Sequence, residues 1–170
     1  RKNEMRELMQ VLNAEEYGLT SLHRIECYDI SNTQGTNATA SMVVLIDGEV
    51  DKSQYRKFKM RGKGPNDFAM MQEVLTRRLR HDEWKTPNLI IVDGGRGQVS
   101  SAIKVLREMK RDIALIGLAK REETIITNSF KEISLPKNAK ALHLIMRIRD
   151  EAHRFAITYH KLLRSKSALV

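Results

Sequence analysis

Cysteine is all but missing from these 170 residues: Cys27 stands alone. That excludes an internal disulfide framework and any zinc cage built from cysteines. Set inside an apolar, alternating stretch, Cys27 reads as a buried and inert thiol. Aromatic residues amount to 5%, which leaves little material for the base-stacking surfaces of single-strand binders. No apolar run approaches the roughly 18 residues that a membrane span needs, and the basic N-terminus lacks the apolar core of a signal peptide. These absences predict a cytoplasmic protein with no membrane partner. The opening residues, RKNEMRELMQVL, begin abruptly within a helical pattern, as expected of a piece cut from a longer protein.

Positive charge is what the chain has in excess, with 30 Lys and Arg against 21 Asp and Glu, a formal +9. Such a balance favours a polyanionic partner, nucleic acid ahead of an acidic membrane surface. Hydrophobic residues make up 41%, enough for a real core. The length suits one domain, which at this size buries roughly 70% of the surface exposed by the unfolded chain.

Residue spacing sets the order of elements. Met5, Leu8, Met9 and Leu12 give an amphipathic helix ending near Gly18. RIECYDIS, TASMVVLID and SQYRKFKM then alternate as strands, with Ile25, Cys27 and Asp29 on one side of the first, and short turns make them an antiparallel meander. A helix runs from about Asp67 to Arg80, capped by Asp67 or Asn66. PNLIIVD reads as a strand covered on both faces, followed by a helix from about Gln98 to Met109 and a second buried strand, IALIGLA. A hairpin over KREETIITNSFKEISLP precedes a long helix from about Ala139 to Leu163. The class is α/β: a mixed five-stranded sheet, three strands antiparallel and two added through helical crossovers, flanked by helices. The ribonuclease H-like fold is prominent among those with this order. Residues 1–20 form a leading helix, 21–165 the domain, and 166–170 a basic tail pointing toward a further C-terminal region.

Function turns on LIIVDGGRGQVSSAI, residues 89–103. No G-x-x-x-x-G-K-[ST] is present, so a Walker loop is excluded, and GRGQVS only approaches the dinucleotide fingerprint. The glycines instead let the backbone turn and let a phosphodiester come close. Asp93 ends this strand and Asp29 lies near the end of the first. In a sheet of this order the two strands are parallel neighbours, and two adjoining carboxylates suit Mg²⁺ or Mn²⁺. Capping of turns is the plainer role for both. His153 sits on the last helix between Asp150 and Arg154, as a solvated side chain or as a third ligand and proton carrier. Lys120 and Arg121 leave a buried strand at the same sheet end as Asp93, and Arg96 and Arg154 add positive charge for phosphates.

RIECYDISNTQGTNATASMVV, PNLIIVDGGRGQVSSAI, IGLAKREE and LIMRIRDEAHRFAITYHKLLRSK together resemble the C-terminal endonuclease region of the UvrC family, a component of the bacterial excinuclease. The resemblance implies a ribonuclease H-like, divalent-metal-dependent endonuclease that incises damaged double-stranded DNA 5′ to a lesion in nucleotide excision repair. It places the family's Asp-Asp-His set on Asp29, Asp93 and His153, with a secondary acidic position at Asp67. It further implies the UvrB component of the excinuclease as a partner, bound through a segment elsewhere in the whole protein. A GIY-YIG region for the 3′ cut and a helix-hairpin-helix pair are implied there too.

Overall fold

The computed structural model describes residues 2–31, 38–62, 66–119 and 124–158. RIECYDIS forms β1 (Arg24–Ser31) and TASMVVLI forms β2 (Thr39–Ile46), antiparallel from Arg24↔Ile46 to Ser31↔Thr39. The third strand of the meander is broken in two. β3 (Glu49–Val50) and β4 (Arg56–Lys59) both pair with β2, separated by a 3₁₀ turn at Lys52–Gln54. Asp51 makes the break: its carboxylate accepts from the Ser53 backbone N–H (3.2 Å) and from Gln54 Nε2 (2.7 Å), turning the chain out of the ladder.

Next come α2 (Asp67–Leu79), β5 (Leu89–Asp93), α3 (Arg96–Glu108) and β6 (Ala114–Leu118). β5 lies parallel to β1, and β6 parallel to β5. Leu89 to Val92 are wholly buried, as a strand covered on both faces requires. β7 (Thr124–Ile126) and β8 (Glu132–Ser134) form the expected hairpin, and β7 pairs with β6. The sheet therefore has eight strands, not five, in the order β3-β2-β1-β5-β6-β7-β8 with β4 also on β2. A bare β6 edge would leave its backbone groups without partners, and the hairpin supplies them.

α1 (Lys2–Asn13) and α4 (Lys140–Ala156) share one face of the sheet; Leu8 and Leu12 are buried there, and Arg147 Nη1 pairs with Glu4 at 2.9 Å. α2 and α3 cover the other. α4 ends at Ala156, short of Leu163. The Thr158 N–H and Oγ1 both donate to the Phe155 carbonyl (3.1 and 2.7 Å), which closes the helical ladder. Ile157, just past the helix, is 82% exposed. Residues 159–163 lie outside the described residues.

The even-numbered side of β1 is not a solvent face. Arg24, Glu26 and Tyr28 are buried beneath α2, where Glu26 accepts from Arg24 Nε (2.8 Å), Arg78 Nε (2.9 Å), Arg78 Nη2 (2.7 Å) and the Tyr28 hydroxyl (2.5 Å). Burial, and then the Glu26 charge, push the Tyr28 phenol far upward, so it stays a donor.

Gly117 on β6 sets how closely α3 and the end of β5 approach. A Cβ there would meet Val99 Cγ2 at 2.4 Å and the Gly94 carbonyl oxygen at 2.8 Å. One neighbour is a fully buried side chain and the other is backbone, so neither yields cheaply. Gly117→Ala is expected to cost about 1–3 kcal/mol, read as a lower midpoint in urea denaturation.

Candidate metal centre

Strand register brings the two aspartates together. Cys27 pairs with Ile91 and Tyr28 with Val92, so the next residue on each strand, Asp29 and Asp93, stand side by side on one face. α4 then lays His153 across them. Its Nε2 is paired with Asp93 Oδ2 and lies 3.9 Å from Asp29 Oδ2. One ligand atom from each of the three lies within 4.8 Å of the others. The aspartate side chains are 16% and 15% exposed and the imidazole 51%, so the cluster is half sunk and open on one side.

Carboxylates this close repel. Burial, and then the Asp93 charge, push the Asp29 carboxyl up to about 6, against the opposing pull of His153, Lys57 and the Ile30 N–H. Lys57 belongs to the same row across the sheet, Asp29↔Ser41↔Lys57. It is wholly buried, and its Nζ donates to the Ala156 carbonyl at 2.7 Å, tying the end of α4 to the sheet. Burial lowers its pKa to about 8, with Asp29 holding it up. Cys27 lies behind the cluster. Burial, then Asp93 and Asp29, raise its thiol well above the usual range, an inert sulfur as its setting in the sequence suggested.

The raised Asp29 has a consequence for pH. An unfolded aspartate titrates near 3.9, so between roughly pH 4 and 6 the metal-free folded state holds a proton that the unfolded chain has released. Protonation thus favours the fold below that window, and the contribution is lost as pH rises through about 6. In EDTA the melting temperature of wild type is expected to fall more than that of Asp29→Asn between pH 4 and 7. Mn²⁺ binding, followed by calorimetry, should release protons and weaken below about pH 6.

The cluster lines a cavity of ≈ 630 Å³. Asp67, on the first turn of α2, reaches the same cavity. It is not the helix cap: Asn66 Oδ1 accepts from the Phe68 and Ala69 N–H groups at 3.1 Å each. Arg96 and Arg154 do not line the cavity. Arg96 lies over the Phe130 ring at 5.4 Å and donates to the Phe130 carbonyl (3.3 Å). Arg154 is locked to Glu151 by two contacts of 2.7 and 2.8 Å. Lys120 and Arg121 lie outside the described residues.

Sequence reasoning missed Arg149, Gln98 and Phe68, which line the cavity, and the buried role of Lys57. Arg149 had a usable signal, since it precedes His153 by four residues on one helical face. Gln98 had none, because only the packing of α3 under Gly94 turns it inward. A smaller cavity of ≈ 320 Å³ includes Arg24 and Trp84 in its lining but brings together no comparable ligand set, and Trp84 is already stacked on His81 at 3.9 Å.

A mixed sheet whose central parallel strands end in paired carboxylates, roofed by a histidine from the last helix, defines a ribonuclease H-like nuclease domain. Residues 14–157 match the UvrC RNAse H endonuclease domain, and the chain belongs to that family. It is 46% identical over 179 residues to UvrABC system protein C of Prosthecochloris aestuarii, covering 99% of this chain and 29% of the relative. It is 51% identical over 152 residues to that of Chlorobium phaeobacteroides, covering 86% and 24%. The chain thus spans less than a third of the length of these curated relatives. Among solved structures, an endonuclease V of Ciona intestinalis in complex with inosine-containing DNA overlaps 86% of this chain and 69% of its own. At TM-score 0.46 and 16% identity, that partial likeness carries no function across.

Proposed function

We propose that this domain hydrolyses a DNA phosphodiester 5′ to a lesion, as the incising part of the UvrC component of the bacterial excinuclease in nucleotide excision repair. The observation that carries the reading is the convergence of Asp29, Asp93 and His153 from three separate elements, in a basic chain of a nuclease family. Damaged double-stranded DNA is the substrate, and the UvrB component of the excinuclease is the partner of the whole protein.

The donor set fits Mg²⁺ or Mn²⁺: two carboxylates and an imidazole, with open space for waters. The proton-retaining Asp29 is a carboxylate that such a charge would relieve. When bound, a divalent cation supplies Lewis-acid charge to a phosphate oxygen. The chain's own residues do the rest. Asp29 and Asp93 hold the cation, and His153 completes the set as a ligand or carries a proton near neutral pH. Gly95 opens α3 with no side-chain cap, so the first-turn N–H groups are available to a phosphate. Arg149 reaches the same cavity with a guanidinium. Asp67 is a secondary acid at the rim. Arg96, Arg154, Lys120 and Arg121 are the further cations for phosphates of the bound strand. Water attacks phosphorus and displaces the 3′ oxygen, leaving 3′-hydroxyl and 5′-phosphate ends.

The test is cleavage of matched lesion-bearing DNA, RNA and hybrid duplexes by the reconstituted excinuclease whose UvrC component carries this domain. Incision 5′ to the lesion in DNA, with 5′-phosphate ends, supports the reading. Cleavage confined to RNA or hybrid moves the substrate. Binding with no cleavage, indifferent to Asp29 and Asp93, makes the domain a nucleic-acid-binding platform.

A further inference from the structure

Three large hydrophobic side chains are exposed among the described residues: Val50, Phe68 and Ile157. Of these, Phe68 alone lines the cavity of the acidic cluster. At helical spacing it falls on the stripe of Met71, Leu75 and Leu79, all buried to 2% exposure or less, yet Phe68 is 52% exposed. Its position is the reason. The first turn of α2 carries the stripe beyond the buried core and over the cavity. There the ring has a prepared seat: a Cβ at Gly97, on the first turn of α3, would lie 2.4 Å from Phe68 Cε1 and 2.5 Å from its Cζ. Any side chain at that position would push the ring away. The start of the helix is itself fixed by Asn66, whose Oδ1 accepts from the Phe68 N–H at 3.1 Å.

Among the described residues no ring and no cation is stacked on Phe68. What it can bind follows from its chemistry. A phosphate gains nothing from it, because the face of an aromatic ring is the negative part of its quadrupole. A deoxyribose offers C–H edges and no flat face. A nucleobase offers a flat π face, and stacking on an aromatic side chain tolerates any base. Both faces of a paired base are covered by its neighbours in a duplex, so the base that reaches Phe68 is one drawn out of the stack. One ring cannot form the continuous track of a single-strand binder, in keeping with an aromatic content of 5%, but it can hold one base.

We infer that Phe68 is a nucleobase platform: it stacks on the base of one nucleotide flanking the scissile phosphate and so places that phosphate over Asp29 and Asp93. This rests on the hydrolytic reading above. Phe68 takes no part in proton or phosphoryl transfer. Its contribution is binding and placement, indifferent to which base is present and sensitive to whether one is there at all.

The test is a cycle between the side chain and the base. It uses the reconstituted excinuclease on a lesion duplex left unpaired across the 5′ incision site, so that pairing does not vary. Phe68→Leu keeps an apolar side chain and removes the ring; kcat/KM for 5′ incision should fall about 5- to 100-fold. Replacing nucleotides one at a time by an abasic tetrahydrofuran should cost wild type a similar factor at one position beside the cut. At that position Phe68→Leu should lose less than about twofold. Phe68→Tyr, which keeps the ring, should behave as wild type there. Mn²⁺ affinity of the DNA-free chain, measured by calorimetry, should be unchanged in both variants, and the melting temperature should stay within about 2 °C of wild type. Wild-type kcat/KM in Phe68→Leu overturns the inference while leaving the hydrolytic reading intact. A loss that couples to no abasic position overturns it by giving the ring to a protein surface or to the sugar. Weakened Mn²⁺ binding overturns it by making Phe68 a support of the acidic cluster, and a Phe68→Leu chain that melts far lower or fails to fold by making the ring part of the core. A wild-type excinuclease that makes no 5′ cut overturns the hydrolytic reading itself, and this inference with it.

Discussion

Asp93→Asn is expected to abolish 5′ incision while leaving the protein folded. The asparagine keeps the size of the side chain and one oxygen, so β5 and its place beside β1 are undisturbed. What goes is the second negative charge facing Asp29, and with it the reason for a divalent cation to enter. A cation in such a site supplies several kcal/mol of charge stabilisation in the transition state, and each ~1.4 kcal/mol is tenfold in rate, so the loss should reach about 10³-fold or more. Two readings separate this from damage to the fold. Mn²⁺ affinity should collapse, while far-UV circular dichroism stays that of wild type. The Asp29 carboxyl, relieved of its neighbour, should titrate closer to the ordinary aspartate range. A folded Asp93→Asn domain that cuts at the wild-type rate removes Asp93 from the chemistry and ends the metal reading.

The largest expected effect on stability lies on the opposite face of β1. Glu26→Leu should cost about 3–5 kcal/mol, a large share of the 5–15 kcal/mol that holds a domain together. Glu26 is wholly buried and stands between two guanidiniums that are themselves 3% and 1% exposed, Arg24 and Arg78. Without it, two positive charges remain out of water with only the exposed carboxylates of Asp51 and Glu83 to act on them. Arg78 keeps its bond to the Lys85 carbonyl at 2.6 Å and its place over the Trp84 ring at 5.3 Å, which is too little to replace a carboxylate. Denaturant unfolding checks the size of the loss. Replacing the trio together, Arg24→Met with Glu26→Leu and Arg78→Met, should recover most of it, because the charges then leave as a set. A single Glu26→Leu as stable as wild type would mean that the cluster is not desolvated as its burial indicates.

The two faces of β1 show how far the residues could be read. Alternation in RIECYDIS placed Ile25, Cys27 and Asp29 on one side, and that side does face the core and α4. The other side carries Arg24, Glu26 and Tyr28, a polar pattern that suits solvent. Arg78, 52 residues beyond Glu26 on α2, turns it into a buried network. No local pattern announces a partner at that separation. Asn66 and Asp67 were equivalent caps by residue type, and only backbone geometry chose Asn66. Arg154 was singled out for its charge alone, and its two bonds to Glu151, three residues back, were not read from the sequence. The eight-stranded sheet was legible as strands, but the breaking of β3 from β4 depended on one side chain, that of Asp51.

By itself the sequence determined the order of elements, the strand-end positions of Asp29 and Asp93, and the helix that carries His153, because period and polarity are local properties of the chain. Only the tertiary structure decided that β1 and β5 run parallel in a register that makes those aspartates neighbours, and that α4 crosses them at the height of His153. It also decided which cations reach the cavity and which are bound elsewhere. Proximity between residues 60 or more apart is set by how strands pair and helices pack, and no window of sequence contains that information.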